Sequence, residues 1–173
     1  MSSGRSGSRR WLVLRKINDR VNEPMSESLG GKLPATLVVR RRINATADEL
    51  FAAWTRPELL VRWWGPQGVA CPAAEIDLRV GGSCRIANQF PDGTLLWIAG
   101  VFEVIEPPHR LTYTWSLEPQ KGSVERVTVC FEAHGASTDV VVTHERIPSE
   151  AARTSHERGW TGCLDNLVRY AES

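Results

Sequence analysis

Alternating hydrophobic and polar residues dominate the middle and C-terminal parts of the chain and predict antiparallel β-strands. Leu111, Tyr113 and Trp115 share one parity, as do Val127 and Val129, and mostly polar side chains take the opposite parity. A period of two is what a strand with one buried face requires. Turns rich in glycine and proline separate successive segments. The seven predicted strands are residues 37–43, 69–78, 82–90, 95–105, 110–118, 123–133 and 138–146.

Helical spacing replaces this alternation in three places. Thr46 and Glu49 form a capping box ahead of a first short helix, and Thr55 and Glu58 repeat the pattern for a second. At the C-terminus, apolar residues at i, i+3 and i+4 spacing predict one long helix over about residues 149–172. That apolar stripe consists of His156, Trp160, Cys163, Leu164, Leu167 and Ala171.

The order of these elements predicts an α+β architecture. One strand, two short helices, six more strands and a long helix give a curved, seven-stranded antiparallel sheet with one apolar face to cover. Only the C-terminal helix is long enough to cover it. Because a twisted sheet diverges from a straight helix toward one end, we expect a gap between them, which would be a natural ligand cavity.

Charge is unevenly distributed over the 173 residues and indicates a tail followed by one domain. Residues 1–33 hold seven basic and three acidic residues, so residues 34–173 are slightly acidic although the whole chain has a formal charge of +1. We interpret the first segment as a flexible tail or an upstream segment, and the second as the folded domain. An acidic domain disfavours nucleic-acid binding. No run approaches the ~18 apolar residues of a membrane helix, so we expect a cytoplasmic protein without membrane insertion.

The cysteines give no sign of a metal site. Cys71, Cys84, Cys130 and Cys163 are widely spaced, and the chain has neither a C-x-x-C nor an H-E-x-x-H motif. We therefore expect free thiols, no metal and no cofactor. Cys163, on the inner stripe of the long helix, is the thiol closest to the expected cavity.

Tryptophan is unusually frequent, with seven residues against four Phe and two Tyr. Wide, flat indoles can fill a core or line a cavity, and both alternatives stay open from the sequence. Trp63 and Trp64, at the end of the second short helix, are expected to pack at one mouth of the fold, with ligand contact as the alternative. The side chains predicted to line the cavity are Trp97, Tyr113, Trp115, Phe131 and Trp160.

Two histidines and one carboxylate are candidate polar ligand-binding residues. His144 has the inward parity of the last strand, and His156 begins the stripe of the long helix. They could meet across the gap and bind a polar ligand group or transfer a proton, or be satisfied core residues. Glu125 also has inward parity, and when buried it would need a partner such as Tyr113 or a histidine. No catalytic residue follows from these positions alone.

Several segments, taken in order, resemble a known family. They are TRPELLVRWWGP at 55–66, EIDLRVGG at 75–82, GVFEVIEPPHRLTYTW at 100–115, TDVVVTH at 138–144 and the Gly159-Trp160 pair with Leu164 and Leu167. Together they are similar to the activator of heat-shock-protein-90 ATPase homologue family, in the START-like (Bet v 1-like, SRPBCC) superfamily. Val80 and Cys84 depart from the proline and aromatic residue common there. The resemblance implies a helix-grip fold around a hydrophobic cavity, but no shared catalytic residues or substrate.

Three functions are compatible with this reading. The first is binding of a hydrophobic or aromatic small molecule in the internal cavity. The second is an enzyme similar to polyketide cyclases and aromatases, which would use His144 or His156. The third, suggested by the family name, is a stress-response co-chaperone that stimulates a chaperone ATPase. The sequence is compatible with a monomer or a homodimer.

Overall fold

A computed structural model describes residues 34–119 and 122–173 of the chain. The predicted N-terminal tail lies outside these residues. Within them, seven strands and three helices follow the order expected from the sequence. The strands are β1 (Ala35–Ile43), β2 (Ala74–Ile76), β3 (Ser83–Gln89), β4 (Leu95–Glu106), β5 (Arg110–Glu118), β6 (Glu125–His134) and β7 (Ser137–Ile147), and the helices are α1 (Ala47–Thr55), α2 (Pro57–Leu60) and α3 (Glu150–Ala171).

The strands of the described residues form one open antiparallel sheet in the order β1-β7-β6-β5-β4-β3-β2. This confirms the predicted α+β helix-grip architecture. The strand predicted over residues 69–78 is shorter than expected: only Ala74–Ile76 pairs continuously with β3, and Ala70 forms an isolated bridge to Gln89. Pro72 lies between them and has no N–H to donate to a ladder, which explains the interruption.

Local capping explains where the helices begin. Thr46 Oγ1 accepts a hydrogen bond from the Glu49 N–H, and Glu49 Oε2 accepts one from the Thr46 N–H, so the first capping box is confirmed. The second is wrong: the Thr55 hydroxyl donates to the Phe51 carbonyl instead, and Arg56 precedes α2 without a side-chain cap. A hydroxyl within a helix readily bonds the carbonyl four residues back, and here that local bond wins.

The core lies between the inner face of the sheet and the two longer helices. Val127, Val129 and Phe131 of β6 and Val140 and Val142 of β7 are no more than 2% exposed. Helix α3 begins at Ser149, whose side chain accepts from the Ala152 N–H, and runs across β1 and β7. No helix in the described part of the chain is long and apolar enough to cross a membrane.

The middle of α3 approaches the loop after α2 very closely. A Cβ atom at Gly162 would lie 2.9 Å from the Pro66 Cβ, whereas one at Gly159 would meet nothing within 4 Å. The Asn166 side-chain amide also donates to the Gly65 carbonyl at 2.6 Å. Glycine at 162 therefore permits tight docking of the helix on this loop.

Candidate functional site

Indole rings occupy the space between the sheet and the helices. Within the described ranges, Trp54 of α1, Trp63 and Trp64 after α2, Trp115 of β5 and Trp160 of α3 are each no more than 6% exposed. We call these five residues the tryptophan cluster. Ring centroids lie 4.8 Å apart for Trp54 and Trp63, 5.6 Å for Trp64 and Trp160, and 5.4 Å for Trp115 and Trp160. The rings thus form one continuous contact network.

The sequence did not predict that Trp54 belongs to this network. Its ring stacks on Trp160 at 6.1 Å between centroids with an interplanar angle of 21°. It also meets Phe131 edge-on at 6.0 Å. The available signal was the shared helical face of Leu50, Phe51 and Trp54, which marks this ring as inward-facing but does not say what it meets.

The N–H groups of the cluster are not equally satisfied. Trp63 donates to the Ala53 carbonyl at 3.0 Å, and Trp64 donates to the Asn88 side-chain oxygen at 3.1 Å. The buried Trp115 N–H finds no acceptor among residues 34–119 and 122–173. A buried donor without a partner costs about 1–3 kcal/mol. Trp115 is therefore an unsatisfied donor at one end of the cluster.

Three polar side chains meet at this end, beside Trp115. Glu125 opens β6 and pairs in register with Trp115, His144 comes from β7, and His156 comes from the first turns of α3. Glu125 Oε2 lies 2.8 Å from His144 Nε2 and 2.9 Å from His156 Nε2. The imidazoles stack with centroids 4.4 Å apart. We call these three residues the Glu–His–His cluster.

The structure thus brings both candidate histidines onto Glu125. The sequence left Tyr113 or a histidine as the partner of Glu125, and in the structure the partners are the two histidines. Tyr113 instead pairs in register with Val127 and packs its ring against Phe102, with centroids 5.9 Å apart.

Trp160 fixes the protonation of His144. Its indole N–H, which can only donate, lies 3.0 Å from His144 Nδ1. Nδ1 must therefore accept, and a neutral His144 carries its proton on Nε2, facing Glu125. His156 Nε2 must also be protonated, since two lone pairs would repel at 2.9 Å. The contacts to Glu125 are short but bent, because the ring N–H bonds do not point straight at the oxygen.

The members of the Glu–His–His cluster differ in their charge near neutral pH. Burial raises the pKa of Glu125, but hydrogen bonding to His144 and His156 outweighs it, so the net pKa lies below its usual value. Burial lowers the pKa of His144, and the opposing effect of Glu125 only partly compensates. Near neutral pH, Glu125 is therefore ionised and His144 is neutral.

The three ligand atoms lie within 4.8 Å of one another and form a donor set that many metals accept. The arrangement does not suit a metal ion, however. A histidine that binds metal through Nε2 normally donates its Nδ1 proton to an acceptor. His144 Nδ1 instead receives the Trp160 N–H, so its Nε2 lone pair is not available in the neutral ring.

Trp97 does not join the cluster predicted for it. It lies on β4 at the opposite parity from the buried Ile98, and the Arg85 guanidinium stacks over its ring at 4.5 Å. Hydrophobic residues surround Trp97 in the sequence, so the alternation that would reveal its face is missing. Its indole belongs to the outer face of the sheet.

The thiols are unsuited to nucleophilic catalysis. All four cysteines fall within the described ranges and are free. Burial raises the pKa of Cys163 to about 12 and those of Cys71 and Cys84 to about 11. Cys163, the thiol expected closest to the interior, is therefore held as an inert thiol near neutral pH.

Similar structures share this fold. A protein from Chromobacterium violaceum superposes with a TM-score of 0.74 at 24% identity, covering 81% of this chain and 99% of that one. A protein from Silicibacter pomeroyi described as AHSA1 gives 0.71 at 25% identity, covering 78% and 96%. A third, from Rhizobium leguminosarum, gives 0.68 at 29% identity, covering 80% and 95%.

Sequence comparison identifies the family. A search of curated proteins found no match. The family model described as Activator of Hsp90 ATPase homolog 1-like protein, in contrast, matches residues 44–172. That range includes α1, α2, six of the strands in the described residues, α3 and every member of both clusters. The chain therefore belongs to the Activator of Hsp90 ATPase homolog 1-like family.

Proposed function

We propose that the protein binds a small aromatic or apolar molecule where the tryptophan cluster meets the Glu–His–His cluster. The observation that carries this proposal is the buried Trp115 N–H, which lacks an acceptor in the described part of the chain. Its ring lies 5.2 Å from that of His144 and 6.1 Å from that of His156. A ligand that brings one hydrogen-bond acceptor into this position satisfies the donor.

The surroundings define the rest of the ligand. Indole walls favour a flat, apolar body, whose burial contributes about 25 cal/mol for each Å² removed from water. Trp64, Trp115 and Trp160 supply these walls. Glu125 and His156 supply polar contacts at the rim, and they fix the orientation of the ligand rather than most of its affinity.

The entrance lies at the Glu–His–His cluster. The side chains of Glu125 and His156 are 10% and 16% exposed, whereas His144 is fully buried. The rings behind them are in mutual contact, so a ligand enters by displacing Trp115 from its neighbours. The proposed site is therefore a mouth between β5, β6 and the start of α3.

A pair of matched ligands tests this proposal. 1-Indanone carries a carbonyl acceptor, and indane is the same hydrocarbon frame without it. We expect both to bind, 1-indanone more tightly, with a shift of the Trp115 indole N–H resonance in NMR spectra. Trp115→Phe, which keeps a ring but removes the donor, should weaken 1-indanone binding about fivefold to tenfold and leave indane unchanged.

Trp97→Phe is the matched control, because Trp97 lies on the outer face and should affect neither ligand. If neither ligand binds in titrations followed by tryptophan fluorescence, the proposed function is contradicted. Equal binding of 1-indanone by wild type and Trp115→Phe would exclude Trp115 as the donor.

Other parts of the functional interpretation stay predictions. The family description alone supports the co-chaperone alternative, and stimulation of a chaperone ATPase by the purified protein would test it. The cytoplasmic location and the choice between monomer and homodimer are likewise expectations from the sequence.

A further inference from the structure

His156 holds a nitrogen that ligand binding alone does not explain. Its Nε2 lies 2.9 Å from Glu125 Oε2, which leaves Nδ1 as the second ring nitrogen. We propose that His156 is a general base that removes a proton from the bound molecule, with Glu125 orienting the imidazole. This inference rests on the proposed binding function and adds a reaction to it.

The two histidines differ in how their nitrogens are used. Both nitrogens of His144 are engaged, Nδ1 by Trp160 at 3.0 Å and Nε2 by Glu125 at 2.8 Å. His144 is also fully buried, whereas the His156 side chain retains 16% exposure. Of the two, His156 therefore combines a partly exposed side chain with a nitrogen, Nδ1, that the contact to Glu125 does not use. His144 is a positioning residue that holds Glu125 in place.

Glu125 suits the role of the orienting carboxylate. Placed 2.9 Å from Nε2, it holds the proton on that nitrogen and leaves Nδ1 as the lone pair. Once Nδ1 accepts a proton, the ionised carboxylate stabilises the imidazolium, as the aspartate does in serine hydrolase triads. Neutral His144 adds no competing positive charge at this stage.

Few charged groups of the described residues surround His156. Glu125 reaches it from β6 and His144 from β7, while β5 presents the uncharged Trp115. On α3 itself, Arg153 and Glu157 pair with each other at 3.5 Å. Among residues 34–119 and 122–173, the charge that contacts His156 from the sheet side is therefore the Glu125 carboxylate.

The substrate class follows from the base and the donor together. A planar, conjugated molecule with an acidic C–H near an acceptor atom fits. His156 Nδ1 takes the proton, the C–H bonding electrons move into the conjugated system, and negative charge develops on the acceptor. The Trp115 N–H then stabilises that charge by hydrogen bonding. The step needs no cofactor, because the proton passes from His156 to solvent.

5-Nitrobenzisoxazole is a probe for this chemistry. A base removes its carbon-bound hydrogen, the N–O bond breaks, and the isomeric 2-cyano-4-nitrophenolate absorbs visible light. We expect the purified full-length protein to accelerate this reaction over buffer. His156→Ala should reduce the acceleration by about 10²–10⁴-fold, the usual contribution of a positioned base. His134→Ala, at an exposed histidine on the outer face, is the matched control and should leave the rate unchanged.

Glu125→Gln separates an orienting role from a structural one. We expect the rate to fall about tenfold and the midpoint of its pH dependence to move to lower pH, since the carboxylate no longer stabilises the imidazolium. A merely structural role would lower the rate without moving the midpoint. In the wild-type protein, modification by diethyl pyrocarbonate should reach His156 before His144 and abolish turnover in parallel, which tests the base even if a variant does not fold.

The outcomes distinguish this inference from the proposed function. Turnover that survives in folded His156→Ala, or after modification of His156, overturns the base. Binding of 1-indanone without any turnover of 5-nitrobenzisoxazole overturns the base but leaves the binding function intact. Absence of both binding and turnover overturns both.

Discussion

Two clusters of similar residue types lie against the two faces of the β6–β7 hairpin and have opposite surroundings. The Glu–His–His cluster lies on its inner face. On its outer face, Glu132, His134 and Asp139 place their ligand atoms within 4.8 Å of one another. We call these three residues the outer cluster. Both clusters combine carboxylates with imidazole, so residue type alone does not distinguish a structural site from a chemical one.

Arginines satisfy the outer cluster. Arg42 donates to both carboxylate oxygens of Asp139 at 2.7 and 2.9 Å, and Arg40 donates to Asp139 at 3.0 Å and to Glu132 at 3.1 Å. Hydrogen bonding from Arg42 lowers the pKa of Asp139 to about 2. Since Arg42 and Asp139 are register partners, these ion pairs join β1 to β7. The outer cluster is therefore a structural link.

The Glu–His–His cluster has indole walls where the outer cluster has arginines. Its one carboxylate contacts two imidazoles and no guanidinium group. Permanent cations hold the outer carboxylates ionised and inert. The comparison shows that the partner of a carboxylate, rather than its own identity, decides whether the group is available for chemistry.

Removing one indole from each face should have the largest effect on stability. Trp160→Ala deletes a buried ring that supports His144 and should lower the free energy of unfolding by about 3–5 kcal/mol. Trp97→Ala, on the outer face, should cost about 1 kcal/mol through its lost stacking with Arg85. Urea unfolding followed by circular dichroism measures both losses. Equal losses would show that the two faces do not differ in packing.

Neutralising one carboxylate in each cluster should have an intermediate effect. Glu125→Gln replaces a charged acceptor that two imidazoles approach, and it should cost about 1–3 kcal/mol of unfolding free energy. Glu132→Gln, at a side chain 46% exposed, should change stability by less than about 0.5 kcal/mol. The same urea titrations test this pair, and a larger loss for Glu132→Gln would reverse our assignment of the two clusters.

The smallest effects should appear in the pH dependence of stability. Because burial lowers the pKa of His144, the unfolded chain binds its proton first, and stability falls as the pH drops below the ordinary value of 6.5. Asp139, with its pKa lowered to about 2, should destabilise the fold only as the pH falls from 3.8 toward that value. Melting temperatures measured from neutral to acidic pH test this. In His144→Gln, the melting temperature should depend less on pH just below neutrality, whereas in Asp139→Asn the pH dependence should weaken only in acid. Identical profiles for the two variants would contradict these shifts.

Much of the site was predictable from local patterns. Strand parity pointed Trp115, Glu125 and His144 inward, and the stripe of the long helix did the same for His156 and Trp160. These predictions depend on periods of two and 3.6, which burial enforces along each element. The prediction for Trp97 was wrong because its neighbours in the sequence do not alternate, so no period shows which face of the strand it occupies.

The sequence by itself determined the order of the elements, a seven-stranded antiparallel sheet with its covering helix, and the inward direction of the polar candidates. Only the tertiary structure decided that both histidines share one oxygen of Glu125, that Trp160 sets the proton position on His144, and that Trp54 completes the indole network. Each of these facts joins residues from different elements through distances of a few ångströms. Local periodicity fixes which way a side chain points, but only packing between elements fixes what it meets.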